Sequence, residues 1–141
     1  MIDVFISSLE RWSAGEPGIQ AIALVGSHAR GAARADSDID IIIICSDPSH
    51  YLDSTNWLSA FGEIRSAERE DWGLVQSWRV FYLDGTEVEF GITSEQWCSE
   101  AEISSGTGRV IGDGVKIVFD PKFLLANLIV DVGNSMPSQK G

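Results

Sequence analysis

The sequence predicts an α/β (α+β) domain in which a mixed β-sheet is flanked by helices. Two segments, residues 19–25 and 38–45, are apolar almost throughout, as expected for strands that are buried on both faces. Farther along the chain, Asp84-Gly85 separates two strand-like segments, which is the pattern of an antiparallel β-hairpin. Because buried strands and hairpins occur together, we expect the sheet to be mixed.

The first part of the chain predicts alternating helices and strands. Apolar residues recur at helical spacing at the N-terminus. Four successive isoleucines then give the strongest strand signal, because β-branched side chains favour an extended backbone. The predicted elements are a helix at 2–14, a break at 15–18, a strand at 19–25, a short helix or turn followed by a polar loop at 28–37, and a strand at 38–45.

The second part of the chain predicts two hairpins between helices. The turn of the second hairpin is assigned to Gly112, Asp113 and Gly114, and Asp120 is expected to cap the last helix. The predicted elements are a helix at 50–61, a strand near 63–69, strands at 74–83 and 86–92, a helix at 94–103, strands at 109–112 and 115–119, and a helix from Pro121 to Gly133.

Length and composition indicate a soluble single-domain protein. The 141 residues suit one domain, which we place at 1–133 and follow with a flexible tail at 134–141. Hydrophobic residues make up 44% and charged residues 22%, the usual balance of a globular protein. The longest apolar run is too short to cross a bilayer, and no basic segment marks a secretory signal. We therefore expect no membrane association and a cytoplasmic location, with Cys45 and Cys98 reduced and buried.

The charge balance restricts the partners. Ten lysine and arginine residues stand against 21 aspartate and glutamate residues, which gives a formal net charge of −11. Such a surface repels a phosphate backbone, so direct nucleic-acid binding is disfavoured. It suits a cationic acceptor or a basic partner protein.

The junction after the first predicted strand has the features of a phosphate site. Gly26 allows a phosphate to come close to the backbone, and Ser27 can cap a short helix and offer its hydroxyl to a phosphate oxygen. Arg30 follows within the first turn, where a cation opposes the helix dipole at a cost of about 0.3–1 kcal/mol. That cost is explained if an anion normally binds there.

Two aspartates at the start of the second strand form a candidate metal site. Asp38 and Asp40 are two residues apart, so on a strand both side chains leave the same face. Their Cα atoms should lie roughly 6.5–7 Å apart, which allows the carboxylates to share one divalent ion or to hold two. Carboxylate oxygens favour Mg²⁺, with Mn²⁺ as a substitute.

A third carboxylate is expected from the strand at 86–92. Glu87 and Glu89 share one face of that strand, so periodicity leaves both as candidates. Glu89 lies between Val88 and Phe90, which suggests the more buried setting. We therefore assign Glu89 as the third ligand.

These residues carry a resemblance to a known superfamily. Gly26-Ser27, ten intervening residues and Asp38-x-Asp40 are similar to the signature of the DNA polymerase β-like nucleotidyltransferases. With Arg30-Gly31 and Ser37, the segment most resembles the minimal nucleotidyltransferase (MNT) branch. The resemblance implies the nucleotidyltransferase fold.

The resemblance also implies an activity. The chain would transfer a nucleoside monophosphate, usually AMP from ATP, onto a hydroxyl of a protein or small-molecule acceptor. Gly26 and Ser27 would hold the triphosphate, and Asp38, Asp40 and Glu89 would bind Mg²⁺. Members of this branch often act with a helical HEPN partner, so the alternative is an antitoxin-like docking module with weak or no catalysis.

Overall fold

The computed structural model describes residues 2–34, 37–99 and 106–135 as a six-stranded sheet with helices on both faces. The strands are β1 (Ile19–Val25), β2 (Ile39–Cys45), β3 (Ile64–Trp72), β4 (Val75–Tyr82), β5 (Glu87–Thr93) and β6 (Lys116–Phe119). The helices are α1 (Ile2–Ala14), α2 (Gly26–Arg30), α3 (Pro48–Leu52), α4 (Glu95–Cys98), α5 (Gly106–Asp113) and α6 (Leu124–Ser135), with a 3₁₀ helix at Asn56–Phe61.

The sheet is mixed, as the sequence predicts. Its strand order is β3-β4-β5-β2-β1-β6. β2 pairs with β5 in parallel, and the other neighbouring strands pair antiparallel. The predicted hairpin around Asp84-Gly85 is confirmed by the pairing of β4 with β5. β1 and β2 lie side by side, so the junction after β1 and the start of β2 meet at one end of the sheet.

Side chains of the central strand alternate between two cores. Ile41 lies in a core on one face together with Leu9 of α1. Ile42 lies in the core on the opposite face, which includes Ile111 of α5 and side chains of α4 and α6. Since successive residues of a strand point to opposite faces, Asp40 shares the face of Ile42. The candidate site is therefore on the side of the sheet that carries α4, α5 and α6.

Most predicted elements in the first half of the chain are present. α1, β1 and β2 lie where the sequence predicts them, and α2 is the predicted short helix. The single helix predicted at 50–61 is wrong, because α3 and the 3₁₀ helix are separated by residues 53–55. Both pieces bury an apolar side chain, Tyr51 in the first and Leu58 in the second, which explains why the segment has helical spacing. β3 is longer than predicted and continues to Trp72.

The hairpin predicted across 109–119 is wrong. The first part of this segment belongs to α5, and β6 pairs with β1 rather than with its own neighbour in sequence. Thr107 and Ile111 are both buried and lie one helical turn apart. The Thr107 hydroxyl also donates to the Trp97 carbonyl oxygen at 2.7 Å, which ties α5 to α4. Gly112 therefore lies within a helix and does not form a turn.

The last helix, α6, both begins and ends farther along the chain than the predicted helix from Pro121 to Gly133. α6 starts at Leu124, because residues 121–123 form a turn in which Phe123 adopts a φ of 59°. The predicted capping role of Asp120 is confirmed, since its carboxylate accepts from the backbone N–H groups of Leu125 and Ala126 at 3.1 and 3.0 Å. α6 continues to Ser135, two residues into the predicted tail.

Two other expectations concern the ends of the described segments and the cysteines. α4 covers part of the helix predicted at 94–103, and residues 100–105 and 136–141 lie outside the described residues. Cys45 is buried and Cys98 is half-buried, and both are free thiols. No helix within the described ranges has the length and apolar character that crossing a bilayer requires.

Candidate active site

Three carboxylates meet where β2 begins. Asp38, Asp40 and Glu89 each offer an oxygen atom, and these three atoms lie within 4.8 Å of one another. Asp40 and Glu89 are partners in the parallel pairing of β2 with β5, and Asp38 immediately precedes β2. All three side chains are half-buried, so their charges are only partly screened by water. The sequence predicted these residues for one site, and the structure brings them together.

The two glutamates that periodicity left open differ in position. Glu89 lies opposite Asp40, whereas Glu87 lies two residues earlier on β5. The side chain of Glu89 is 17% exposed and that of Glu87 is 33% exposed. Glu89 therefore joins the aspartates in the group of converging oxygens, in agreement with its assignment from the sequence.

Close packing at the end of β1 explains Gly26. This residue has a φ of 72°, in the left-handed region that favours glycine. A Cβ atom at this position would collide with Oδ2 of Asp40 and would lie 3.1 Å from its Cγ. The glycine therefore allows the aspartate to lie directly against the backbone where α2 begins.

The other predicted phosphate ligands lie on α2. The N-cap position of this helix is Val25, and no side chain caps it. The predicted capping role of Ser27 is therefore wrong, because α2 begins one residue earlier and Ser27 falls within the first turn. Arg30 is exposed at the end of α2, close to Gly114. His28 contacts the carbonyl oxygen of Ser37 at 3.3 Å and so connects α2 to the segment that leads into Asp38.

Arg79 is the residue that the sequence analysis missed. It lies on β4 directly opposite Glu89, and its guanidinium forms ion pairs with Asp38, Glu70, Glu87 and Glu89. The hydrogen bonds that the guanidinium donates to the Glu70 carboxylate are the main reason that the pKa of Arg79 lies above its ordinary value. The sequence did contain a signal for this residue. Arg79 is a charged residue in a half-apolar strand, and the hairpin places it across from a strand that carries Glu87 and Glu89.

The electrostatics of the cluster favour a bound cation. Burial, the largest cause, and the charges of Asp38 and Glu89 together raise the pKa of Asp40 to about 7, and Arg79 and Arg30 offset this only in part. Desolvation likewise raises the pKa of Glu89. In the absence of another cation, the cluster therefore retains a proton near neutral pH.

A cavity of about 550 Å³ opens beside the carboxylates. Its lining includes the polar side chains of Arg30, Asp40 and Glu89 and apolar side chains such as Val75 and Val110. This volume is within the range of small-ligand sites in proteins. Trp72 lines the cavity, is 63% exposed, and donates from Nε1 to Oε2 of Glu89 at 2.9 Å. A ligand in the cavity would therefore lie next to the third carboxylate.

A family model matches most of the chain. The model for streptomycin adenylyltransferase matches residues 3–127. A comparison with curated proteins gave no match.

Two solved structures, with TM-scores of 0.53, show the same fold. An aminoglycoside 6-adenyltransferase from Bacillus subtilis is 15% identical, with a TM-score of 0.53 over 69% of this chain and 35% of its own. A nucleotidyltransferase-like protein from Exiguobacterium sibiricum is 16% identical, with a TM-score of 0.53 over 96% of this chain and 40% of its own. A toxin-antitoxin structure with AMP-PNP is 15% identical, with a TM-score of 0.49 over 95% of this chain and 86% of its own. The predicted nucleotidyltransferase fold is confirmed, in a chain that spans well under half the length of the first two proteins.

Proposed function

The chain belongs to the streptomycin adenylyltransferase family, and on that premise we propose that it is a Mg²⁺-dependent nucleotidyltransferase. It moves a nucleoside monophosphate, AMP from ATP, onto a hydroxyl group of a protein or small-molecule acceptor. The observation that carries this proposal is the convergence of Asp38, Asp40 and Glu89, whose oxygens lie within 4.8 Å of one another beside a ligand-sized cavity.

The donor set fits a hard divalent cation. Three carboxylates with water and phosphate oxygens are the ligands that Mg²⁺ prefers, and Mn²⁺ accepts the same set. The raised pKa of Asp40 supports this fit, because burial first, and then the charges of Asp38 and Glu89, disfavour its ionised form, and a bound cation would favour that form. When bound, the ion supplies neutralisation of phosphate charge and activation of the attacking oxygen.

The residues of the site have separate tasks in this proposal. Gly26 keeps the backbone free of a side chain at the start of α2, and Ser27 and Arg30 contact the triphosphate oxygens from that helix. The acceptor oxygen forms a bond to the α-phosphorus while the bond from that phosphorus to its bridging oxygen breaks, and pyrophosphate leaves. The acceptor proton passes to the carboxylate of Glu89. The main contribution of the protein is to position these groups and to balance their charge.

The acidic character of the protein indicates the acceptor class. The net charge is −11, and Asp40, Glu89 and Asp113 line the cavity. A cationic acceptor is attracted to such a site, whereas a nucleic-acid backbone is repelled. Free Cys45 and Cys98 and the requirement for ATP support a cytoplasmic location.

The docking module that binds a HEPN-type partner is the second candidate. It differs in that it need not bind Mg²⁺-ATP or transfer a nucleotide. The convergence of three intact carboxylates favours the enzyme, because a docking surface has no need of a half-buried cluster of like charges.

The test uses ATP labelled at the α-phosphate. The protein is incubated with Mg²⁺ and a panel of aminoglycosides, including streptomycin, and separately with a HEPN-type protein. We expect label on an acceptor hydroxyl, and its loss in Asp38→Asn, in Asp40→Asn and in EDTA. Asp53→Asn, at an exposed position away from the cluster, is the matched control. Equal transfer by the aspartate variants and the parent protein would rule out the assigned site, and binding of the HEPN-type protein with no Mg²⁺-ATP binding would favour the docking module.

A further inference from the structure

The guanidinium of Arg79 uses all five of its N–H donors on carboxylates. Nε donates to Glu70 at 3.1 Å and Nη2 to the same carboxylate at 3.4 Å. Nη2 also donates to Glu89 at 2.9 Å. Nη1 donates to Glu87 at 2.5 Å and to Asp38 at 3.3 Å. Since guanidinium has five such hydrogens, no donor remains for another ligand.

These five bonds divide into two groups. Glu70, Glu87 and Glu89 lie on the two strands that flank β4, so their contacts with Arg79 cross directly between paired strands. Asp38 lies beyond β5, immediately before β2, and its side chain is the most exposed of the four, at 37%. A single bond of 3.3 Å holds it, whereas Glu70, which accepts the longer bond from Nη2, is also held by Nε. The Asp38 bond is therefore the one that most easily breaks while the others persist.

Asp38 is also one of the three converging carboxylates, so its carboxylate has two prospective cationic partners. A guanidinium bonded to this carboxylate repels a divalent ion that binds beside it. Asp40, by contrast, has no hydrogen bond to Arg79 among the described contacts. The arginine thus affects one of the two aspartates directly and leaves the other open to a metal.

We infer that Arg79 is the resident counter-ion of this cluster: it holds Asp38 in the metal-free protein, releases Asp38 when a divalent ion binds, and keeps Glu89 in position throughout. This inference rests on the proposed metal role of Asp38, Asp40 and Glu89. It makes Arg79 a positioning residue that competes with the metal for one ligand. The bond from Arg79 to Asp38 stabilises the carboxylate cluster when no metal is bound. It lowers the affinity for metal, because the bond must break when the metal binds.

The test compares metal binding by the parent protein, by a variant that keeps the charge of Arg79, and by a control variant that removes a positive charge elsewhere. Mn²⁺ is titrated into nucleotide-free protein and the free ion is counted by electron paramagnetic resonance. Arg79→Lys keeps the charge and reaches Glu87 or Glu89, but its single ammonium lacks the fork that also reaches Asp38. We expect it to bind Mn²⁺ about two- to fivefold more tightly than the parent, the factor for one partly exposed ion pair. Arg69→Gln, which removes a charge from the opposite face of β3, is the control for long-range charge effects and should bind as the parent does.

A second measurement needs no variant. The Nε–H signal of Arg79, assigned by NMR through its side chain, is followed as Mg²⁺ is added to the parent protein. We expect the signal to shift as the Asp38 contact breaks and to remain slow in exchange with water, because the Glu70 contact persists.

The outcomes separate the two proposals. If the parent protein binds no Mn²⁺, the proposed metal site is wrong and the inference fails with it. If the parent binds Mn²⁺ but Arg79→Lys binds equally or more weakly, or the Nε–H signal is unchanged at saturating Mg²⁺, the inference alone is overturned.

Discussion

Asp40 on β2 and Glu89 on β5 lie directly opposite each other in the parallel pairing at the centre of the sheet. On its other side Asp40 pairs with Val25, the last residue of β1, and so lies beside Gly26 at the start of α2. The same two strand pairings thus place the third carboxylate, the aspartate and the glycine junction next to one another. Glu89 is in turn opposite Arg79 on β4.

The convergence of its oxygen with those of Asp38 and Asp40 supports the proposal that Glu89, rather than Glu87, is the third acid of the site. We predict that Glu89→Gln lowers nucleotidyl transfer by about 100-fold or more, because it removes a converging charge without changing side-chain size. Glu87→Gln removes an equal charge two residues away and should keep activity within about fivefold of the parent, since its carboxylate contacts Arg79 at the edge of the cluster. Initial rates with saturating Mg²⁺-ATP measure both. A larger loss in Glu87→Gln than in Glu89→Gln would show that the assignment is reversed.

Two alanine variants separate the energetic cost of the collision between a Cβ at residue 26 and Asp40 from the cost of backbone strain. Gly26 and Gly31 both have a φ of 72°, but a Cβ at residue 31 meets no atom within 4 Å. Gly31→Ala should therefore cost about 1–2 kcal/mol of unfolding free energy from backbone strain alone. Gly26→Ala should cost at least about 1 kcal/mol more, because Asp40 must also move.

Urea denaturation with and without Mg²⁺ measures this difference. We expect Mg²⁺ to stabilise the parent and Gly31→Ala, as any ligand specific for the folded state does, and to leave Gly26→Ala unchanged. Equal unfolding free energies for the two variants, with equal responses to Mg²⁺, would mean that the contact between Gly26 and Asp40 does not shape the site.

The carboxyl of Asp40 should make metal-free stability depend on pH. Its pKa rises from 3.8 to about 7 in the folded protein, chiefly through burial. The folded state thus holds a proton between these values that the unfolded state has lost, so stability falls as pH rises through this window. The loss is absent below about pH 4 and complete above about pH 7.

Asp40→Asn should remove the part of this pH dependence that Asp40 contributes. In EDTA at pH 8 we expect the variant to be more stable than the parent by about 1–2 kcal/mol, a value discounted for solvent screening because Asp40 is only half-buried. The difference should shrink steadily towards pH 4, and Mg²⁺ at pH 8 should stabilise the parent and not the variant. Asp53→Asn is the control at an exposed position. A parent that is more stable than Asp40→Asn at pH 8 in EDTA would contradict the raised pKa.

The elements that the sequence predicts correctly are those whose local pattern of apolar residues is unambiguous. The apolar runs of β1 and β2 and the helical spacing of α1 are local patterns that burial reinforces. The hairpin predicted at 109–119 is wrong because Gly112 and Gly114 have the residue pattern of a turn. In the structure, burial of Thr107 and Ile111 against the other helices favours α5 instead. Burial of this kind is a tertiary effect, and it overrides local turn preference.

Strand patterns and motif spacing are properties of neighbouring residues, and they were enough to predict the mixed α/β class, the superfamily, and a site that combines Gly26 with Asp38 and Asp40. The three-dimensional fold adds that the carboxylate of Glu89, and not that of Glu87, converges with both aspartates, and it brings in Arg79 and Glu70. A period of two fixes the face on which a side chain lies, but it does not fix the partner strand or the register. Those follow from how the strands from β2 to β5 pair across the sheet, and that pairing places Arg79 among four carboxylates, including that of Asp38, which is 41 residues away in sequence.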